Sequence, residues 1–419
     1  MPTADDYLWL ASPAAAQYLA AAAVDDRPLL ARLTALRQTL GPDRAAAIVE
    51  LVEQRIRGAA KFGDLAPQLF GTTKQWQQAT DGWIAAYKAD RFASAGGAAH
   101  VHDFCCGMGG DLMALASRVP TTGWDCDEVA ARFAQANLNA WRNSNAGVLG
   151  TSTASPQTAV DCSVQCADVA DAAPAADEAW HVDPDRRRDG RRTTTPELHS
   201  PRPEAIDRWL ADCPHGAVKL APATRPWGAW SDAAEWEWIS RERECKQLVA
   251  WFGNLRRGVE PGVRRATRIT AVAGDGFACD AVTFSAAPVD AGSVAEEPGP
   301  YVVEPDPAVI AAELVGSIAN EAQLATLGAG GVYLTGDAPP SSPLLTTFVV
   351  VETLPLRPAK IIDALNARSI GSVEVKVRGV KQDPTAFRRR LKIRGDNAAV
   401  VVLTRIGRRE LAIIAERVA

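Results

Sequence analysis

One stretch constrains this chain more than any other. Val101-His102-Asp103-Phe104, a short apolar run, passes through Cys105-Cys106-Gly107-Met108-Gly109-Gly110 into a helical pattern that opens at Asp111. A strand that turns through glycines straight into a helix is the opening unit of a doubly wound α/β sheet. Its turn lies in the crevice where such sheets bind ligands. Gly107, Gly109 and Gly110 allow tight dihedrals and close approaches that a β-carbon would forbid. The helix start adds N–H groups with no partner inside the helix.

The residues that follow keep the alternation. Residues 121–127 read as a second strand and 127–141 as a helix with Val129, Ala130, Phe133, Ala136, Ala140 and Trp141 on one stripe. After a polar loop over 143–157, strands are expected at 160–169, 179–185, 216–222, 236–240, 246–253 and 266–272. Strands alternating with helices imply a parallel sheet.

Around this core the pattern changes. Residues 1–95 read as a helical domain, with Gly41-Pro42 ending one helix and starting the next. Threonines at 72–73 suit an N-cap, and one helix is expected to follow them through residue 93. Trp76, Ala79, Trp83 and Tyr87 then share a face, as core or interface more readily than as a substrate platform. The α/β domain spans 96–290, residues 288–300 have linker composition, and 301–419 form a smaller α+β region. In its last part the order β-α-β-α-β-α is expected, ending with a helix over 409–419.

A chain of 419 residues calls for two or three domains, and 47% hydrophobic with 23% charged residues is a globular composition. No apolar run reaches the roughly 18–20 residues that span a bilayer. The amino-terminal apolar stretch lacks a basic flank, so a buried helix is expected there and a cytoplasmic location for the protein. The eight cysteines form no paired CxxC motifs, so reduced thiols and no metal site are expected. A net charge of −5 confines any nucleic-acid contact to local patches.

Two cofactors compete for the glycine turn. A dinucleotide needs GxGxxG, and the third glycine is missing here. Asp103 instead precedes Gly107 by four residues, and an anionic start suits the ammonium and sulfonium of S-adenosylmethionine. Asp103, Cys105, Gly107, Gly109 and Gly110 are therefore assigned to the cofactor. Asp125 and Asp127 lie about 20 residues further on, where an acid accepts ribose hydroxyls. Asp125 takes that role, while Asp127 either shares it or caps the next helix. Asp168 is assigned to the adenine amino group or to a turn.

The fourth strand ends in Asp183-Pro184-Asp185-Arg186-Arg187. Asp183, with Pro184, is placed to hold an amine whose lone pair must face the methyl group. Arg186 and Arg187 are either phosphate contacts or members of a salt-bridged loop. A second basic patch carries Lys376, Arg378, Lys381, Arg388, Arg389, Arg390, Lys392 and Arg394. Arg378, Arg388, Arg389, Arg390 and Lys392 are the candidate nucleic-acid contacts there, against the plainer reading of a solvated helix face.

Taken together, the chain resembles bacterial class I methyltransferases with a carboxy-terminal THUMP-like domain. The resemblance is carried by KFGDLAPQLFGTTKQWQQAT, YKADRFA, FCCGMGGD, GWDCDEVAARFAQANL, VDPDRR, VKLAP, AEWEWIS, WFGNL, YVVEPDPAVI and VKVRGVKQDPTAFRRRLK. The FCCGMGGD loop alone is also similar to trimethylguanosine synthases. The resemblance implies a Rossmann-like fold, S-adenosylmethionine and a domain at about 345–419 similar to RNA-binding THUMP modules, without fixing the substrate. Together with the two basic patches it leads to the expectation of RNA (tRNA or rRNA) as partner, methylated at a base amino group. Asp185 and Arg186 stand where many amino-methylating enzymes have a second proline and an aromatic ring. Trp180, Trp227 and Trp230 are the candidates to supply that ring. The competing functions are methylation of a small molecule or protein, and RNA binding without turnover.

Overall fold

A computed structural model of the chain describes residues 2–94, 98–145, 161–185, 187–188, 191–192, 195, 198–258, 260–274 and 276–418. The chain divides into two compact units, one holding residues 1–236, 247–261 and 269–281, the other 237–246, 262–268 and 282–419.

The first unit opens with six helices: α1 (Ala4–Leu10), α2 (Pro13–Ala23), α3 (Leu29–Leu40), α4 (Pro42–Phe62), α5 (Thr73–Gln78) and α6 (Gly82–Ser94). The single helix expected after the threonines is two. Thr72 and Gln75 form a capping box that starts α5, and the chain becomes extended at Ala79. Asp81 Oδ1 then accepts from the backbone N–H groups of Trp83 and Ile84, starting α6 afresh. Thr80 and Asp81 favour this break because their short polar side chains compete for backbone groups.

The α/β part runs β1 (Val101–Phe104), α7 (Gly110–Ala116), β2 (Thr121–Asp125), α8 (Glu128–Asn145), β3 (Cys162–Cys166), β4 (Ala179–Val182), the ribbon β5 (Arg187–Arg188) and β6 (Arg191–Arg192), α9 (Pro203–Asp212), β7 (Gly216–Leu220) and α10 (Trp230–Ala233). Strands β8 (Glu235–Arg241), β9 (Glu244–Trp251), β10 (Arg264–Ala271) and β11 (Cys279–Ala286) follow in the chain, their residues divided between the two units. The sheet is parallel in the order β3-β2-β1-β4-β7, and β9 joins β7 antiparallel. The parallel sheet expected from the alternation is present, with an antiparallel strand added at this side. The strand order reverses between β1 and β4, and that switch point is where doubly wound sheets hold ligands. Ile48, Leu51, Phe62, Trp76, Met108, Met113 and Phe133 belong to one buried cluster, so the amino-terminal helices share a core with α7 and α8.

The second unit contains β12 (Val294–Ala295), β13 (Tyr301–Pro305), α11 (Pro307–Ala311), α12 (Val315–Glu321), β14 (Ala325–Leu327), β15 (Leu334–Gly336), β16 (Leu345–Pro355), α13 (Pro358–Asn366), β17 (Ile370–Val377), α14 (Pro384–Arg390), β18 (Asn397–Ile406) and β19 (Arg409–Arg417). They build an eight-stranded sheet in the order β12-β14-β15-β13-β16-β19-β18-β17. Short β12 lies inside the expected linker and pairs with β14.

The final helix expected over 409–419 is strand β19, antiparallel to both β16 and β18. The reason is burial on two faces. Ala412 and Ile414 enter a cluster with Ile361, Leu365 and Phe387, while Ile413 and Ala415 enter another with Val302, Tyr333 and Phe348. A strand covered on both sides shows no polar alternation, so its apolar run imitates a buried helix. No disulfide joins any of the eight cysteines. Among the described residues no helix is long and apolar enough to cross a membrane.

Candidate active site

At the tip of β1 the chain bends sharply. Cys105 takes φ +55°, unusual for a residue with a side chain, and Gly107 and Gly109 follow at +57° and +87°. Cys106 N–H donates to Trp124 C=O and Gly109 N–H to Cys106 C=O, closing the turn. Buried Asn137 of α8 clamps it by donating to the carbonyls of Met108 and Phe70 and accepting from Phe70 N–H. A β-carbon on Gly110 would stand 3.1 Å from Thr80 O and 3.2 Å from Thr80 N, so helix α7 approaches the α5–α6 junction more closely than a side chain fits without a small shift of the Thr80 backbone. A β-carbon on Gly107 would meet nothing within 4 Å. The loop is therefore open on the Gly107 side, which is the space a ligand needs.

Beneath this bend lies a continuous network of buried polar side chains. Asp103 Oδ1 meets His181 Nδ1 at 2.7 Å, and His181 Nε2 lies 3.1 Å from Lys88 Nζ. Lys88 Nζ pairs with Asp111 Oδ1 at 2.7 Å, and Thr80 Oγ1 donates to Asp111 Oδ2 at 2.6 Å. Lys219 Nζ then donates to Thr80 Oγ1 at 2.9 Å and to Asp183 Oδ2 at 2.5 Å. Asp103, His181 and Lys88 are at most 2% exposed. Burial pushes the Asp103 carboxyl above its ordinary range, against the pull of His181. Burial also lowers the Lys88 ammonium, against the pull of Asp111. For Asp111, burial acts upward, but Lys88, His181 and Lys219 outweigh it and hold the carboxyl well below the usual range.

Asp103 Oδ2 is buried and has no hydrogen-bond partner among the described residues. A buried carboxylate oxygen without a donor is costly and marks a place for a missing partner. Three carboxylates (Asp103, Asp111, Asp183) and two amines (Lys88, Lys219) gather around the His181 imidazole. An orphaned acceptor beside an open glycine turn fits a cationic, amine-bearing group such as the methionine end of S-adenosylmethionine.

The other acids expected at the cofactor are placed as follows. Asp125, at the tip of β2, accepts from Gly107 N–H and Asp127 N–H, and burial raises its carboxyl against these bonds. It ties the glycine turn to the second strand. Asp127 is exposed and its Oδ1 accepts from Ala130 N–H, so it caps α8. Asp168 is exposed and its Oδ1 accepts from Ala170 N–H, the turn role.

Asp183 directly follows β4, and its backbone N–H donates to Phe104 C=O, fixing it beside the cradle. Its Oδ1 makes no hydrogen bond among the described residues. Pro184 is buried and lines a small apolar recess with Val218, Leu220, Trp227 and Trp230. Arg186 lies outside the described residues. Arg187 sits in the β5–β6 ribbon, paired in register with Arg192. Asp185 pairs with Lys74 at 3.2 Å.

In the second unit, Arg378, Arg388, Arg389, Arg390 and Lys392 are all exposed, as are Lys381 and Arg394. Among the described residues none of them pairs with a carboxylate. Phe387 of α14 faces the core, so the three arginines that follow it form the last, solvent-facing turn. Lys376 departs from the expected patch. It is buried and neutralised by Glu304 and Glu374 at 2.6 and 3.1 Å.

Sequence reasoning missed Lys88, Thr80, Asn137, Lys219 and the role of His181. A signal existed for two of them. Lys219 is the one charge in the otherwise apolar strand GAVKL, and Lys88 sits on the buried face of α6. Charges at such positions are rarely buried without a specific partner.

Residues 345–417 match the THUMP domain-like family. Two Mycobacterium tuberculosis proteins, from strains CDC 1551 / Oshkosh and ATCC 25618 / H37Rv, are each 32% identical over 374 residues, covering 87% of this chain and 94% of their own. Both carry the name uncharacterized S-adenosylmethionine-dependent methyltransferase. A Porphyromonas gingivalis W83 protein assigned as a methyltransferase has the same fold, with TM-score 0.67 at 17% identity over 94% of this chain and 99% of that one.

Proposed function

Because the chain belongs to the S-adenosylmethionine-dependent methyltransferases, we propose that it methylates RNA, at an amino group of a base. The observation that carries the RNA reading is the run of exposed, unpaired cations from Arg378 to Arg394 within a THUMP-like segment, on a chain of net charge −5. Cations left free of carboxylates are available to phosphates, whose contacts dominate nucleic-acid affinity.

In this reading S-adenosylmethionine, when bound, supplies a methyl group made electrophilic by a sulfonium. Asp103 offers Oδ2 to the cationic end of the cofactor, and the open backbone at Cys105 and Gly107 receives it. Asp125 holds the turn in shape while its remaining lone pairs face the ribose side. Gly109 and Gly110 let α7 start where the turn ends. Asp127 and Asp168 act through the helix cap and the turn that they form, with their outer oxygens left for the nucleoside.

Asp183 serves the acceptor. Its free Oδ1 accepts a hydrogen bond from the exocyclic amine, which aims the nitrogen lone pair and receives the proton released on transfer. Lys219 grips the other oxygen, so the carboxylate keeps one orientation. Pro184 shapes the recess next to it.

The test is incubation of the purified protein with labelled S-adenosylmethionine and total RNA from a strain lacking its gene, followed by nucleoside analysis. Label in an amino-methylated nucleoside is expected. Label in a ribose-methylated or carbon-methylated nucleoside overturns the amino assignment, and label only in protein or a small molecule overturns RNA.

A further inference from the structure

Methylating a base demands that the ring be held flat in front of the acceptor-binding carboxylate. Base–aromatic stacking is the usual means. Residues 185 and 186, Asp and Arg, offer no ring after Pro184. The three tryptophans considered for the task differ sharply in their surroundings. Trp180 is fully buried within β4 and its Nε1–H donates to Cys213 C=O. Trp230 is 5% exposed and its Nε1–H donates to Asp207 Oδ1. Both are committed to the interior.

Trp227 alone of the three is partly exposed, and it lies on the loop that follows β7, the strand of Lys219. Its ring shares the apolar recess with Pro184, the residue next to Asp183. Two further rings brace it from behind: Trp230 at 4.7 Å between centroids, and Trp236 at 5.5 Å and near edge-on. A ring wedged in this way loses little conformational entropy when a ligand stacks on it, and that preorganisation favours binding. The recess itself has no room for a base, so a base would have to stack on the exposed part of the indole. The surrounding backbone is unsuited to a packed core, since Gly228 and Ala229 are exposed.

We infer that Trp227 is the stacking platform for the acceptor base and thereby helps to set substrate specificity. This rests on the proposed base methylation. Aromatic stacking tolerates any base, so Trp227 selects for a planar heterocycle and leaves the choice among bases to the polar groups at Asp183. A non-aromatic acceptor, such as a protein side chain, gains nothing from it.

The experiment compares wild type with Trp227→Phe and Trp227→Leu, using total RNA from the deletion strain and labelled cofactor, with S-adenosylmethionine affinity measured by calorimetry. Leu keeps most of the bulk and none of the π surface, whereas Phe keeps a ring. The expected result is a fall in kcat/KM on the order of ten- to a hundred-fold for Leu, carried mainly by KM, substantial retention for Phe, and unchanged cofactor affinity in both. Equal activity of Leu, Phe and wild type overturns the platform while base methylation stands. Equal loss in Leu and Phe, or loss of cofactor affinity, also overturns it in favour of a packing role. Wild type that labels no RNA base removes both readings together.

Discussion

Lys219 Nζ and Asp183 Oδ2 stand 2.5 Å apart at the ends of neighbouring parallel strands, β7 and β4. The lysine also holds Thr80 Oγ1, so it links Asp183 to the network beneath the glycine turn. Replacing Lys219 by Met removes the grip on Asp183 and leaves the cradle in place. A fall in kcat on the order of 100-fold is expected, as small misplacements of a reacting partner cost about that much. Cofactor affinity, read by calorimetry, should hold within about two-fold of wild type. Loss of affinity instead would make Lys219 part of the cofactor site.

Asp103 gives a pH dependence with a definite sign. Burial raises its carboxyl in the folded protein. The ionised form is the one that attracts a cation, so S-adenosylmethionine affinity should fall as pH drops through that raised value. The folded state holds this proton more tightly than the unfolded chain, so Asp103 itself opposes stability above its folded value, and that opposition fades as pH falls toward the unfolded value. Asp103→Asn should bind the cofactor more weakly and lose the acid dependence. A wild-type affinity flat across the acid range would refute the role.

Gly107 and Gly110 separate strain from contact. Gly107→Ala places a methyl in open space at φ +57°. The backbone cost is roughly 1–2 kcal/mol, but the methyl fills the open side of the turn that the proposed cofactor site uses. Cofactor affinity should therefore suffer more than thermal stability. Gly110→Ala has the opposite signature, because its methyl pushes on the Thr80 backbone. Melting curves with and without S-adenosylmethionine distinguish the two.

The Lys88–Asp111 pair predicts stability. Lys88→Met leaves a buried carboxylate without its main countercharge, and a loss of about 3–5 kcal/mol is expected from urea melts. Adding Asp111→Leu should recover part of that loss. Asp111 has a depressed value when folded, so its contribution is present above the unfolded value of about 4 and disappears as pH falls below it. A single variant as stable as wild type would mean that the pair is neutral already.

The carboxy-terminal arginines predict salt behaviour. Exchanging Arg388, Arg389 and Arg390 together for Gln should weaken RNA binding and flatten the slope of log affinity against log salt by up to about three counterions. Filter binding at several salt concentrations measures this. An unchanged slope would make the patch an ordinary solvated surface.

Much of this arrangement was legible in the residues themselves. The turn from Asp103 to Gly110 revealed its place in the fold because glycines between a strand and a helix have few other uses. Asp183 stood out because it ends a strand beside that turn. What stayed hidden depends on side chains far apart in sequence. Lys88, Thr80 and Lys219 come from a helix, a helix break and a strand, and only folding brings them to one line. The break at Thr80 was missed because a helical apolar stripe continues across it. Strand β19 was missed because burial on both faces erases the alternation that distinguishes strands.

The positions of Lys88 and Thr80 bear on how the molecule can be cut. Both precede the first strand, yet Asp111 of α7 takes its countercharge from one and a hydroxyl from the other. A fragment trimmed to begin at Val101 would keep every glycine and acid of the turn and still carry under it a buried anion stripped of its nearest countercharge. The catalytic module is therefore inseparable from the helices in front of it, and an excised α/β core should come out of expression aggregated and inert.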